Sequence, residues 1–223
     1  MTGEAGNTNQ AADREGTKAK KSKSRKQTYP VCMEYYEPYN IAIFGLVSKE
    51  IQIHQLKQTG VRRSFFHCQS MRVEHMIVSM AIEQHKGGSN VIVCAGTQSK
   101  KKDRSEVVAY ILDPKLEFEV LQSYRWTWPY IPAELDVGID QQITQVYYKS
   151  GCGLIICSFT GFIEIYDAIN VNHSVWDNGK LKLKSGGGSI STVCYSEALD
   201  IIAYAGVSGR IYVLDQTTKK PNG

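Results

Sequence analysis

The stretch AYAGVSGRIYVLDQTT, residues 203–218, decides between two very different interpretations of this chain. Its glycines Gly206 and Gly209 would suit either a loop that holds a phosphate group or a tight turn between two strands. A phosphate loop is followed by a helix, whose N-terminus supplies the anion site. Here the alternating segment RIYVLD follows, and its period of two is that of a strand. The stretch therefore predicts a hairpin turn in which glycine takes a positive φ.

The same arrangement occurs four times along the chain. Each copy has an alternating strand, a polar turn, an apolar strand that ends in small residues, a second turn and a third strand. The turn of the third copy ends at Gly161, and three copies close on an aspartate. The copies span residues 31–56, 76–113, 143–167 and 190–215, and the closing aspartates are Asp113, Asp167 and Asp215. Such repetition is typical of propellers and other repeat architectures.

The copies can also be aligned position by position. Our alignment places four residues at one point of the second strand, namely Phe44, Cys94, Cys157 and Tyr204. It places Cys32 and Cys194 at one point of the first strand. This alignment predicts which side chains occupy equivalent places in the repeated unit.

Candidate fourth strands lie between the copies, as RRSFFHC, LEFEVLQSY and GKLKLK. Since four antiparallel strands make one propeller blade, we predict an all-β fold of about four blades, the last without its outer strand. We expect these blades to form an incomplete ring. An open arc of this kind leaves strand edges bare, and bare edges invite pairing with another chain. Either the chain is a fragment or isoform of a longer protein, or a second chain completes the ring.

The fourth copy, ISTVCYSEALDIIAYAGVSGRIYVLDQTT, resembles the WD-repeat β-propeller family. It has the apolar strand, the aspartate turn and the final Gly-x-Ile-x-Val strand that ends in aspartate. In the second, third and fourth copies, Leu112, Tyr166 and Leu214 stand in place of the family's tryptophan. The resemblance covers residues 29–218. It implies a non-enzymatic scaffold for protein–protein interaction, with partners on the rims and on the faces near the central channel.

A narrower resemblance concerns the closing words VLDQTTKKPNG, which are similar to blade ends of ciliary WD-repeat proteins that carry EF-hands. It implies a cytoplasmic protein in a ciliary or cytoskeletal assembly. The chain has no calcium loop of the D-x-D-x-D-G kind.

Residues 1–28 differ from the rest of the chain in composition. They carry seven basic and three acidic side chains, a net charge of +4, which equals the net charge of all 223 residues. After Met1 they contain no apolar residue larger than alanine, which predicts a disordered basic tail. The run KAKKSKSRK, residues 18–26, has three interpretations: a nuclear-import signal, an electrostatic contact with a partner, or a solvated basic tail. Blades are predicted over residues 29–218 and a short C-terminal tail over 219–223.

Patterns for catalysis or metal binding are weak. The five histidines have no H-E-x-x-H or H-x-H spacing, and Cys152 and Cys157 lack the second pair that a zinc site needs. The run SGGGS, residues 185–189, lies between two predicted strands and is typical of a linker. We therefore expect no enzyme, cofactor or metal. The alternative is an enzyme or small-ligand binder that uses the central channel, which buried charges at the channel would favour, although the strands have mostly apolar interiors.

The segment SYRWTWPYIP, residues 123–132, is a candidate partner-binding site. Its residues Arg125, Trp126, Trp128 and Tyr130 are of the types that dominate interface hot spots. The alternative is that these rings pack between blades. With the basic tail, the rings also allow single-stranded nucleic-acid binding, but residues 29–223 have zero net charge, which argues against a nucleic-acid partner.

Expected partners are other proteins or a second chain. No membrane partner is expected, because no apolar run approaches the roughly 18 residues of a membrane helix. The expected location is the cytoplasm, with the cilium or cytoskeleton as the narrower expectation and the nucleus if the basic run is an import signal.

Overall fold

A computed structural model describes residues 28–85, 88–100, 104–128, 142–166, 181–184 and 188–215. The described residues form strands, turns and two short 3-10 helices. No helix among them has the length and apolar character to cross a membrane. The predicted disordered tail, apart from Thr28, and the predicted C-terminal tail at 219–223 lie outside the described residues.

The strands form four separate antiparallel sheets, each following the order of the chain. We call these sheets blades 1 to 4. Blade 1 contains β1 (Pro30–Tyr36), β2 (Ile41–Leu46), β3 (Glu50–Thr59) and β4 (Arg62–Arg72). Blade 2 contains β5 (Met76–Gln84), β6 (Val91–Gln98), β7 (Ser105–Asp113) and β8 (Glu119–Trp128). Blade 3 contains β9 (Ile143–Lys149), β10 (Gly153–Ser158), β11 (Phe162–Tyr166) and β12 (Leu181–Lys184), and blade 4 contains β13 (Ile190–Ser196), β14 (Ile201–Gly206) and β15 (Ile211–Asp215).

The sequence prediction of an all-β fold with four blades is confirmed. The fourth sheet has three strands within the described part of the chain, as predicted. Consecutive blades contact each other through their first strands, β1 with β5, β5 with β9 and β9 with β13. The described residues thus form an open arc of blades around the first strands and no closed ring.

Three apolar cores hold the arc together, one between each pair of neighbouring blades. The middle strands β6 and β10 are buried along their whole length, because neighbouring blades cover both of their faces. Each fully buried isoleucine or leucine of these cores contributes about 1.5–3 kcal/mol. Stability therefore depends on contacts between blades as well as on pairing within each sheet.

A β-bulge near the start of each first strand gives the true register of the repeats. We call the residue just before the unpaired one in each bulge the bulge residue. The bulge residue and the residue three positions later pack against the preceding blade; these pairs are Ile77 and Met80, Ile143 and Val146, and Ile190 and Val193. A Cβ atom added at Gly45 would lie 2.9 Å from Ile77 Cγ2, and one added at Gly96 would lie 2.6 Å from Val146 Cγ2. Gly45 and Gly96 are therefore equivalent, and each allows the close approach of the next blade.

The bulges correct the alignment made from the sequence. Because Gly45 corresponds to Gly96, Phe44 corresponds to Ala95, and the alignment of Phe44 with Cys94 is wrong by one residue. Cys32 pairs with Gly45, whereas Cys194 pairs with Ala203, two positions further from its bulge. The bulge inserts a residue that a comparison of apolar patterns alone does not count.

Two side-chain hydrogen bonds also join neighbouring blades. The Ser79 hydroxyl oxygen accepts a bond from the Val146 amide at 3.1 Å, and the Thr144 hydroxyl donates to the Ile190 carbonyl at 2.6 Å. Both bonds satisfy backbone groups of first strands, which are edge strands of their sheets.

Candidate functional site

The first strands of all four blades end at one concave pocket of about 480 Å³. This volume lies within the range of about 300–1,000 Å³ that is usual for ligand sites. We call it the channel pocket, because the first strands surround the centre of the arc. It is lined by Tyr35, Tyr36, Glu37, Pro38, Glu83, Lys149, Ser150, Gly151, Tyr195 and Glu197.

Glu83 is the centre of a polar network in the channel pocket, and three blades contribute to it. The Tyr36 hydroxyl of blade 1 donates to Glu83 Oε1 at 3.3 Å. The Lys149 ammonium of blade 3 donates to Glu83 Oε2 at 2.5 Å. The Glu83 side chain is mostly buried and the Lys149 side chain is partly exposed. The network therefore links blades 1, 2 and 3 where their first strands end.

Burial and charge shift the pKa values around this network. Burial opposes the charge of Lys149, but the hydrogen bond and the attraction from Glu83 outweigh it and raise the pKa of Lys149. Burial, with the nearby Glu83 carboxylate, raises the pKa of Tyr36 to about 12. Burial and the Asp200 carboxylate, which accepts a bond from the Tyr195 hydroxyl at 2.9 Å, raise the pKa of Tyr195 to about 12. The tyrosines thus remain protonated hydrogen-bond donors at neutral pH.

The channel pocket is acidic as well as aromatic. Three glutamates and one lysine line it, so its formal charge is −2. Lys149 is already paired with Glu83, whereas Glu37 and Glu197 are exposed on its rim. This pocket was not expected from the sequence, whose strands were predicted to have mostly apolar interiors. The sequence feature that could have indicated the pocket is a single charged residue near the end of an apolar first strand, as in MIVSMAIEQ and ITQVYYK.

The two apolar faces at the ends of the arc are a second feature. In blades 1 to 3, two alternating residues of the third strand are buried against the next blade; they are Ile51 and Ile53, Val107 and Ala109, and Ile163 and Ile165. The same positions of blade 4 are Ile211 and Val213, and these are 76% and 63% exposed. This face of blade 4 thus has the residues of a blade interface, and no blade in the described part of the chain covers it.

The opposite end of the arc presents the complementary surface. In blades 2 to 4 the first strand inserts its bulge residue and the residue three positions later against the preceding blade. The equivalent residues of blade 1 are Pro30 and Met33, and Met33 is 58% exposed. Beside Met33 lies Phe44, whose ring contacts the rings of His54 and Phe65 edge-on. Each end of the arc therefore has one half of a blade-to-blade interface.

The predicted aromatic site at residues 123–132 is only partly described. The Trp128 side chain is 1% exposed and its indole N–H donates to Glu164 Oε2 of blade 3 at 2.6 Å. Arg125 is partly exposed and forms an ion pair with Glu74 at 2.6 Å. For Trp128 the structure favours packing between blades over partner binding. Tyr130 and the side chain of Trp126 lie outside the described residues, so their partner-binding role stays a prediction.

The turn glycines follow the prediction in two of three cases. Gly161 and Gly209 have φ values of 87° and 72°, in turns that precede β11 and β15. Gly206 is the last residue of β14 and does not adopt a positive φ, so the expected reason for that glycine is wrong. A Cβ atom at Gly206 would lie 2.5 Å from the Ser189 carbonyl oxygen. Close approach of the backbone, rather than turn geometry, requires glycine there.

The two closing aspartates that the structure describes lie at the ends of third strands. Asp113 ends β7, and its carboxylate accepts a hydrogen bond from the Lys115 amide at 2.8 Å, which caps a short 3-10 helix. Asp215 ends β15 opposite Ile201. Asp167 lies outside the described residues.

Among the described residues, one cluster of possible metal ligands lies between blades 1 and 2. Ligand atoms of Glu74, His75 and Glu106 lie within 4.8 Å of one another. His75 Nε2 and Arg104 Nε each lie 3.4 Å from Glu106 Oε1, and Arg125 holds Glu74. Because two guanidinium groups already balance the two carboxylates, the cluster suits an ion-pair network better than a cation site.

The buried thiols are poor candidates for a zinc site. Burial raises the pKa of Cys152 to about 11 and the pKa of Cys157 to about 12. Neither thiol belongs to a group of three possible metal ligands within the part of the chain that the structure describes. Their packing in the core between blades 3 and 4 explains their presence.

Comparisons with known proteins give no family for this chain. No family model matches it, and no curated protein matches it. Among solved structures, it is similar to Sqt1 from Chaetomium thermophilum, with a TM-score of 0.49 and 13% sequence identity. The match covers 81% of this chain and 54% of the Sqt1 chain, so this chain spans about half the length of that protein. The description of the sheets as propeller-type blades rests on their strand order alone.

Proposed function

We propose that this chain is a non-enzymatic scaffold of WD-like blades that binds other proteins through the end faces of its arc. The observation that carries the proposal is the exposure of Ile211 and Val213 at positions that are buried in every other blade. Exposed apolar patches on folded proteins mark interaction sites. The partner that fits such a face is another blade of the same kind.

A second copy of the chain has the required surface. The face of blade 4 matches the faces that receive Ile77 and Met80, or Ile143 and Val146, inside the arc. Blade 1 presents Pro30 and Met33 at the same positions. Two copies related by a two-fold axis would join each blade 4 to the other blade 1, which closes a ring and covers both bare ends.

The mass of the full chain in solution tests this proposal, measured by light scattering over a range of concentrations. We expect an assembly of two copies that dissociates in the variant Val213→Lys. Val61→Lys is the matched control, because Val61 is fully exposed in the turn between β3 and β4. A monomer at every concentration, or equal effects of the two variants, would contradict completion of the ring by a second copy.

Ligand binding in the central channel is the second candidate. The network of Glu83, Tyr36 and Lys149 supports it, because buried charges at the channel favour a ligand-binding role. Single-stranded nucleic-acid binding has less support, because Trp128 is buried between blades. Location in the cytoplasm, in a ciliary or cytoskeletal assembly or in the nucleus is also a proposal, which imaging of the tagged chain tests.

A further inference from the structure

The channel pocket has the chemistry of a site for a cationic side chain. Its formal charge is −2, and its rim carries the exposed carboxylates of Glu37 and Glu197. The Tyr35 ring is about half exposed beside them. Carboxylates bind a guanidinium or ammonium group through charge-assisted hydrogen bonds, and a tyrosine face attracts the same cations. Lys149 does not cancel this preference, because its charge is already paired with Glu83.

The charge distribution of the chain supplies a matching ligand. Residues 1–28 carry the whole net charge of +4, and the remaining residues sum to zero. Six of the seven basic residues of this tail lie in the run KAKKSKSRK, residues 18–26. The acidic pocket and the basic run are therefore complementary in charge and belong to one polypeptide.

The tether has the length that docking requires. The pocket lies at the Tyr36 end of β1, whereas the chain enters β1 at its other end, at Pro30, four positions after the basic run ends at Lys26. The two ends of β1 are six residue steps apart, which is about 20 Å at about 3.3 Å per residue. An extended segment spans about 3.3–3.6 Å per residue, so a residue must precede Pro30 by at least about six positions to reach the pocket. Four lysines meet this condition, namely Lys18, Lys20, Lys21 and Lys23.

We infer that the channel pocket binds the chain's own basic run, residues 18–26, through a lysine side chain between Glu37 and Glu197. This inference goes beyond the scaffold proposal and rests on other residues than the end faces. A short tether gives an effective concentration in the millimolar range, so even weak pocket binding is largely saturated within the chain. The docked run would compete with basic segments of partner proteins for the same pocket.

A labelled peptide of residues 18–26 tests the inference by fluorescence anisotropy with the full chain. The tail variant carries Lys18→Ser, Lys20→Ser, Lys21→Ser and Lys23→Ser, which frees the pocket. We expect the peptide to bind the tail variant and to bind the wild-type chain about tenfold more weakly, since a tethered competitor at ~1 mM outweighs a dissociation constant of ~0.1 mM by that factor.

Two further variants in the tail-variant background locate the site. Glu37→Gln with Glu197→Gln removes the rim charge and should abolish binding, with unchanged thermal unfolding. Glu117→Gln with Glu119→Gln removes two exposed carboxylates of blade 2 and should retain binding. Equal affinity of the wild-type chain and the tail variant would overturn docking of the chain's own run. Absence of binding to both, or equal loss in the two glutamine variants, would overturn the site itself. None of these outcomes depends on whether two copies associate.

Discussion

Gly96 offers a direct test of the contact between blades 2 and 3. A Cβ atom added there would lie 2.6 Å from Val146 Cγ2 and 2.8 Å from Ile143 Cγ2. Carbon atoms pack best at about 3.5–4.0 Å, so the two methyl groups would have to retreat by about 1 Å. Both belong to buried β-branched side chains of β9, and such side chains are stiff at χ1. We therefore expect Gly96→Ala to push blade 3 away from blade 2.

The expected cost is that of overpacking a core by one methyl group, about 1–3 kcal/mol. For a chain of this size each kcal/mol lowers Tm by about 2–4 °C. Urea unfolding followed by circular dichroism measures the free energy of unfolding of wild type and variant. In the Val146→Ala background, which removes the nearer methyl group, the added cost of Gly96→Ala should be smaller.

Gly88→Ala is the matched control, because the nearest atom to its added Cβ is a backbone nitrogen at 3.8 Å. Alanine at such an open position should be neutral or slightly stabilising. If Gly96→Ala unfolds at the same urea concentration as Gly88→Ala, the reasoning about the blade contact is wrong. Equal cost of Gly96→Ala with and without Val146→Ala would contradict the assigned clash.

Three further predictions concern single side chains. Trp128→Phe removes a buried hydrogen bond to the Glu164 carboxylate and should destabilise the chain by about 1.5–3 kcal/mol in urea unfolding; a change below 0.5 kcal/mol would argue against that bond. Because the pKa of Tyr36 is raised to about 12, an unfolded tyrosine ionises at lower pH than the folded one, so stability is lost as pH rises from about 10 to 12. The Tyr36→Phe variant should lose less stability than the wild-type chain over this pH range. An identical loss of stability would refute the burial of the Tyr36 hydroxyl. Cys194 is exposed whereas Cys94 and Cys157 are buried, so a thiol reagent followed by mass spectrometry should modify Cys194 in the folded chain and the other two only after unfolding; early reaction of Cys94 would contradict the core between blades 2 and 3.

The sequence predicts the blades well because each strand leaves a local signal. The alternation in RIYVLD and the glycine turns at Gly161 and Gly209 are set by neighbouring residues, and the structure has the strands and positive φ values there. The register between copies is less predictable, since the β-bulges at Ile77 and Ile190 add a residue without changing the apolar pattern. The correct register could have been found from two apolar residues that lie three positions apart in each first strand.

The candidate site could not be predicted from the sequence in the same way. Glu83 and Lys149 are 66 residues apart, and nothing in their local sequence indicates that two first strands end side by side. The aromatic segment was predicted as a binding site from its residue types alone. Tryptophan is common at interface hot spots, but Trp128 is buried because blade 3 packs against it. Local pattern determines strands, whereas sites depend on which blades become neighbours.

The central claim is that the chain is an open arc with a bare blade face at each end. The most direct measurement is the relaxation of methyl signals by a soluble paramagnetic probe, recorded by NMR at low and high protein concentration. The account predicts that Ile211, Val213 and Met33 are strongly relaxed at low concentration and protected at high concentration, while Ile190 and Ile202, which are buried, are protected throughout. Protection of Ile211 and Val213 already in the dilute monomer would contradict it, because the blades would then close on themselves.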